Sequence, residues 1–478
     1  MKNLYIFAIG GSGSRVLRSL SMLLASGVST ASHIVPIIID PDASNGDLNR
    51  TVECLRQYET VRNGLSFDNT LHSKFFSTEI SSLNNNDNYL LPLLGTSGIN
   101  FDRYLGLDSM SQENQAMTKM LFSNVNLSST MDVGFKGNPN IGSIVLNQFT
   151  QSGDYNNFEA NFVTGDKVFI ISSIFGGTGA SGFPLILKTL RTSNNTALAS
   201  APIGAVSLLP YFNLKTNDDS SIESDSFITK AKAALLYYEK NVTGNRSLND
   251  MYYLGDDFHS YGYENCDGGN NQSNDAHFIE LLAALSVIDF DAKDFFEDAS
   301  TAFHEFGLMS GPNGSINFSN LGGQTNDIIK KPLAMMAVMN SYLNNRTTNH
   351  RLNQKWAKDR AALLGTSFFN SPFFSEYSSF KEMFEEWLEE LDRNEVSFAP
   401  FYKDSDIKGS DGLEKIIGHP RPSYPGINPF KKKGYDLIDE VLGRNLSLIP
   451  SNASAPAVFM ELFHKTLSDI FTKNLNIQ

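Results

Sequence analysis

The segment Val168–Arg191, VFIISSIFGGTGASGFPLILKTLR, constrains the fold of this chain more than any other. Its first residues are apolar and β-branched, as in a buried strand. A glycine-rich turn follows, and Leu185, Ile186, Leu187 and Leu190 then recur at helix-compatible spacing. Strand, glycine loop and helix make a cradle for phosphate. Gly176, Gly177, Gly179 and Gly182 permit positive φ and let backbone N–H groups approach an anion, and the helix start contributes its positive end. Thr178 and Ser181 add hydroxyl donors, and Pro184 suits a first helical turn. The loop is not a Walker A motif, because Phe183 and Pro184 stand where Lys and Ser/Thr are required. A tight structural turn is the competing reading.

The rest of the chain decides between the two. The opening repeats the pattern: Leu4–Ile9 reads as a strand, then Gly10, Gly11, Ser12, Gly13, Ser14 and Arg15 lead into a helix carrying Val16, Leu17, Leu20, Leu23 and Leu24. The dinucleotide fingerprint G-x-G-x-x-G fails here at Val16. His33–Asp40 is a second buried strand ending in an acid, which keeps open a ribose contact at Asp40 beside the reading of Asp40 and Asp42 as turn formers. Gly137, Asn138, Pro139, Asn140 and Gly142 turn into an apolar helix. Ala201–Leu209 and Met251–Asp257 read as further strands, with an amphipathic helix over Ser226–Glu239 between them. This alternation predicts an α/β fold with a doubly wound, mostly parallel sheet, and ligands at the carboxyl ends of its strands.

Taken in order, these segments resemble the signatures of the tubulin/FtsZ superfamily. FGGTGASGFP, including Ala180, is similar to that family's GGGTGTGAAP loop with Phe175 in place of the first glycine. Gly10–Ser14 is similar to its first nucleotide loop, with Arg15 where Asn is usual. IDPDAS and GNPNIG are similar to two further loops near the phosphates. The resemblance implies a Rossmann-like GTPase domain over 1–300, with a central helix over 276–288 and an insertion over 51–131. A divergent, largely helical domain is expected over 301–478. It also implies GTP/GDP and Mg2+ as ligands, and base recognition around Asn271, Asn274 and Asp275, where capping of the next helix by Asn274 competes. Asp289, Asp291 and Asp294 resemble the acidic loop that these proteins insert into a neighbour's nucleotide site. An acidic run ending a helix is the alternative reading. Hydrolysis would then depend on head-to-tail self-assembly into filaments, with carboxylates polarising the attacking water.

Composition narrows the classes. A formal net charge of −14 argues against nucleic acid as a partner. No apolar run reaches membrane-spanning length, and early glycines interrupt MKNLYIFAIGGSG, so a cytoplasmic protein with no membrane span and no signal peptide is expected. Cys54 and Cys266 are too few for a disulfide framework or a zinc site, and no metal-ligating residues stand out. The insertion or the C-terminal helices are candidate surfaces for a partner protein. Phe384, Trp387, Leu388 and Leu391 form an apolar stripe whose default role is packing. Two other functions stay open: a nucleotide-sensing scaffold that does not hydrolyse, and a Rossmann-type NAD enzyme using Gly11, Gly13 and Asp40.

Overall fold

The computed structural model describes residues 2–65, 67, 72–84, 89–91, 93, 95–96, 98–131, 135, 138–214, 225–243, 247–256, 262–263, 269, 273–295, 300–306, 315–394, 396–401, 413, 433–450, 453–475 and 477. Six strands, β1 (Asn3–Ile9), β2 (His33–Ile39), β3 (Lys167–Ser173), β4 (Ile203–Leu208), β5 (Asp250–Leu254) and β6 (Ala302–Phe306), form one all-parallel sheet in the order β2-β1-β3-β4-β5-β6. Apolar runs such as IFAI and FII lie in strands covered on both faces, as a parallel sheet requires. The sheet runs past residue 300, because β6 pairs with β5 from Asp250↔Ala302 to Leu254↔Phe306.

Outside β2 the chain begins a further strand and loses it. Ile34 and Ile38 each exchange hydrogen bonds with the 79–91 segment, Ile38 N–H donating to the Tyr89 carbonyl at 2.7 Å. Midway between them sits Pro36, which has no N–H to donate on that side, so only two isolated bridges form.

Helices cover both faces. α1 (Gly10–Ala25) and α2 (Gly46–Asn63) share one face with the central helix α6 (Phe278–Asp291), while α3 (Pro139–Leu146), α4 (Gly177–Arg191) and α5 (Asp225–Tyr238) take the other. The period-2 alternation of β1 shows the division. Tyr5 and Phe7 meet Phe158 at 4.9 and 5.2 Å between ring centroids, while Ala8 faces Gly13 of α1. α6 lies on β4 where Gly204 makes room for the Phe290 ring. The sequence reading placed residues 51–63 in an insertion, yet they form most of α2, whose Val52, Leu55, Tyr58 and Val61 are buried in the core. Cys54 is a buried free thiol in α2, and Cys266 lies outside the described residues.

The C-terminal part is helical: α7 (Gly323–Asn345), α8 (Pro372–Arg393), α9 (Gly434–Asn445) and α10 (Ala455–Asn474). Among the described residues beyond 306, the one β interaction is the bridge Ile316↔Phe398. The stripe on α8 is a packing face: Phe384, Trp387 and Leu391 are fully buried, and Trp387 Nε1–H donates to Ser19 Oγ of α1 at 3.2 Å. Beside it Glu390, also fully buried, accepts Arg18 Nη1 at 2.6 Å and Nη2 at 3.2 Å, Arg50 Nη1 at 2.8 Å and the Ala276 backbone N–H at 2.9 Å. Among the described residues no helix is long and apolar enough to cross a membrane.

Replacing Glu390 with Ala leaves the buried Arg18 guanidinium without a counter-ion. The expected loss is about 3–5 kcal/mol of unfolding free energy in urea. A loss below about 1 kcal/mol, as for an exposed pair, would contradict the assignment of Glu390 as the anchor of the C-terminal helices.

Candidate functional site

Two glycine loops meet where the strand order reverses, between β1 and β3, at the carboxyl end of the sheet. β1 passes directly into α1 through Gly10, whose φ of +72° is the one left-handed residue of these loops among the described residues. A Cβ on Gly10 would lie 3.4 Å from Thr178 Cβ and 3.8 Å from the Gly179 nitrogen, so the starts of α1 and α4 touch. Neither helix start is capped by a side chain: Ile9 precedes α1 and Gly176 precedes α4. Asn138 precedes α3 without a side-chain cap, and Pro139 opens that helix. α3 packs on α4 so closely that a Cβ on Gly142 would run into Ser181. Three helix N-termini without a side-chain cap therefore gather at this edge, an arrangement suited to an anion with several charges.

The glycines of the central loop work differently from the expectation of positive φ. Gly176 has φ −82°, and none of Gly176, Gly177, Gly179 or Gly182 is left-handed. They are present because a side chain does not fit: a Cβ on Gly179 would stand 2.6 Å from the Ser173 carbonyl oxygen. Gly137 lies outside the described residues. Gly11, Ser12, Gly13 and Ser14 occupy the first turn of α1, and Ala180 the first turn of α4.

Arg15 turns away from the glycine loops. Its Nε donates to Glu280 Oε1 of α6 at 2.6 Å and one Nη donates to the Tyr211 hydroxyl at 2.5 Å, while the other stands 3.7 Å from Asp47 of α2. Burial works against the guanidinium charge, but Glu280, Tyr211 and Asp47 hold its pKa above the ordinary value. Asn274 does not cap α6. Its backbone and side-chain N–H groups both donate to Asp47, at 3.0 and 2.7 Å. The cap is His277, whose Nδ1 accepts the Ile279 N–H at 3.1 Å, with Glu280 accepting the His277 N–H in return. An accepting Nδ1 puts the proton of the neutral ring on Nε2, a buried donor with no acceptor among the described residues. Burial first, and the charge of Arg15 second, lower the His277 pKa to about 3. Asp275 pairs with Arg393 at 2.6 Å, and Asn271 lies outside the described residues. The Arg15 and His277 contacts were invisible in the sequence because their partners are 196 to 265 positions away or lie in a cap geometry that His rarely adopts.

Asp40 closes β2 and is buried, with Oδ1 accepting the Asp42 N–H at 3.0 Å. Asp42 in turn accepts the Ser44 N–H at 3.1 Å, its hydroxyl at 2.7 Å and the Gly269 N–H at 2.7 Å. Asp289, Asp291 and Asp294 lie at the other end of the sheet. Asp291 is buried and accepts the Ala31 N–H at 2.7 Å, the Ser32 N–H at 3.0 Å and the Ser32 hydroxyl at 2.5 Å, just before β2 begins. Asp289 pairs with Lys293 at 2.7 Å and accepts the Tyr252 hydroxyl at 2.5 Å. Its partial burial raises the pKa, but these two bonds carry it below the ordinary value. Asp294 is exposed. Glycine loops and acidic loop are thus at opposite ends of one molecule.

The architecture is a doubly wound, all-parallel α/β sheet with helices on both faces. No family model matches the sequence, and no curated protein sequence matches it. Solved structures to which the chain is similar include CetZ2 from Haloferax volcanii in a GTPγS-bound protofilament, at 14% identity and TM-score 0.29 over 61% of this chain and 59% of that one. CetZ1 from Haloferax volcanii, a GDP-bound monomer, has 13% identity and TM-score 0.30 over 62% of each chain. CetZ from Methanosaeta thermophila strain DSM 6194 has 16% identity and TM-score 0.26 over 53% of this chain and 46% of that one. In each case this chain spans less than two thirds of the neighbour's length.

Burial raises the Asp40 pKa from 3.8 to about 7, the nearby Asp42 charge adds to the rise, and the Asp42 N–H bond opposes both. The folded chain therefore holds this proton more tightly than the unfolded chain, and stability falls as pH rises from about 4 to about 7. Asp40→Asn keeps an acceptor for the Asp42 N–H and cannot ionise. Denaturant unfolding should find it more stable than the parent by roughly 2–4 kcal/mol at pH 8 and within about 0.5 kcal/mol at pH 4. An equal gain at both pH values would show that charge is not the cause.

Proposed function

We propose that this chain is a divergent tubulin/FtsZ-like protein that binds GTP/GDP through its phosphates and hydrolyses GTP on head-to-tail self-assembly. The observation that carries the reading is the meeting of uncapped, glycine-rich helix starts at the β1–β3 switch point, in the order of loops the sequence resemblance implies. Gly10–Ser14, Asn138 and Gly176–Ala180 would surround the phosphates with backbone N–H groups and the Thr178 hydroxyl, with Pro139 setting the start of α3. No cluster of three acidic, His or Cys side chains among the described residues is placed to hold a metal ion. Mg2+ would therefore arrive with the nucleotide, whose phosphates and waters supply most of its ligands.

The position of the acidic residues supports an intermolecular reaction. A carboxylate at the base of α6 cannot reach a phosphate held at the top of its own sheet, but it can reach one in a neighbour stacked end to end, a heterologous contact. Within that loop Asp291 is used by Ala31 and Ser32 and Asp289 by Lys293 and Tyr252, so among the described residues the exposed Asp294 is the carboxylate best placed to orient water on a neighbour's phosphate. The same bonds favour a second reading, a nucleotide-sensing scaffold that binds without turnover.

Phosphate release from GTP, measured against protein concentration, separates the two. Turnover per subunit should rise with concentration and fall by about 100-fold or more in Asp294→Asn. Asp291→Asn should lower the unfolding midpoint first, because it weakens three internal hydrogen bonds. Turnover independent of concentration would sink the assembly reading, and tight binding without turnover would select the scaffold.

A further inference from the structure

We infer that this site selects the polyphosphate and not the base, so that purine and pyrimidine nucleoside triphosphates compete for it on nearly equal terms. The inference rests on the phosphate reading above. A phosphate chain held at the starts of α1 and α4 leaves its nucleoside two directions along the carboxyl edge of the sheet, toward β4 and α6 or toward β2 and α2. Among the described residues, this chain fills both with its own side chains.

Toward α6, Arg15 spans the gap to Glu280, Tyr211 and Asp47. The side chains of Arg15 and Glu280 are 12% and 1% exposed. What remains between Arg15, Tyr211, Phe212, Asn274, His277 and Asn394 is a cavity of about 20 Å³. That is room for about one water, against the several hundred Å³ of a pocket that encloses a nucleoside-sized group. A base seated there must displace Arg15, which strands Glu280 away from both water and its counter-ion. The Tyr211 hydroxyl, at 2.9 Å from Glu280, would be its one remaining side-chain donor. Toward β2, Asp42 is committed to Ser44 and Gly269, Asp40 to the Asp42 N–H, and Asn45 to capping α2 through the Leu48 N–H. Each of these groups is already held by the chain, so a base edge or a ribose hydroxyl would share it with the fold. The base is left at the rim, where water competes for each of its hydrogen bonds and the difference between one base and another shrinks.

The test is calorimetric titration of the full chain with GTP, ATP, CTP and inorganic tripolyphosphate in Mg2+. The expected result is that the three nucleotides bind within about threefold of one another and that tripolyphosphate binds within about tenfold of them. A preference above about tenfold for any one base overturns the inference and leaves the phosphate reading standing. Failure of all four compounds to bind overturns the phosphate reading and this inference with it. The paired variant Arg15→Asn with Glu280→Gln removes the plug without leaving a lone buried charge. It should gain at least about fivefold selectivity among the three nucleotides. Unchanged ratios in a folded variant would show that the Arg15–Glu280 pair is not what excludes the base.

Discussion

Two arginines on a buried helix organise this molecule. α1 is covered along almost its whole length, and it carries Arg15 and Arg18 into surroundings with little water. A guanidinium does not lose its proton, so each must bring a carboxylate with it. Arg18 brings Glu390 of α8, and Arg15 brings Glu280 of α6. The two arginines are three residues apart and point to neighbouring flanks, so the central helix and the C-terminal helices are each seated against α1. The same carboxylates hold Arg50, Tyr211, the Ala276 N–H and the His277 N–H, which ties the start of α6 to α1, α2 and the end of β4.

That arrangement explains why the 301–478 region does not behave as a separate layer. α8 lays Phe384, Trp387 and Leu391 on α1 and α2 and closes the contact with a bidentate ion pair, and Phe380 packs on Phe76 at 4.9 Å between ring centroids. The helices behind it form an aromatic cluster in which Tyr342 and Trp356 meet Phe463 edge to face and Phe459 packs on Phe463 at a tilt. The face of α1 that looks toward α6 is spent on internal contacts. Its first turn stands at the switch point, against the start of α4.

The two ends of the sheet carry opposite electrostatic character. At the carboxyl end the dipoles of α1, α3 and α4 converge and favour an anion. At the amino end the acids in the last turn of α6 are largely consumed by the fold: Asp291 ties the helix to the residues before β2, and Lys293 binds Asp289, Asp250 and the Tyr252 hydroxyl. Lys293 lies inside the acidic motif itself, and it neutralises what the sequence pattern presents as a free acidic loop.

The sequence alone determined what depends on short spacings. The strands β1 to β4 are buried runs of six or seven residues, glycine loops directly follow β1 and β3, and the central helix is a continuous apolar segment, so the parallel α/β fold and the positions of its loops were legible, whereas the five-residue, largely exposed β6 was not. Pro36 likewise carried a local rule that the pairing outside β2 obeys. Only the tertiary structure decided which side chains were left for chemistry. The same sequence features can mark a close backbone approach or a left-handed turn, as Gly179 and Gly10 do in turn. A carboxylate at the end of a helix can be exposed like Asp294 or buried under backbone N–H donors like Asp291, and Arg15 can face a ligand or a glutamate 265 positions away. Such outcomes depend on long-range pairing of buried charges, which no spacing within one segment encodes.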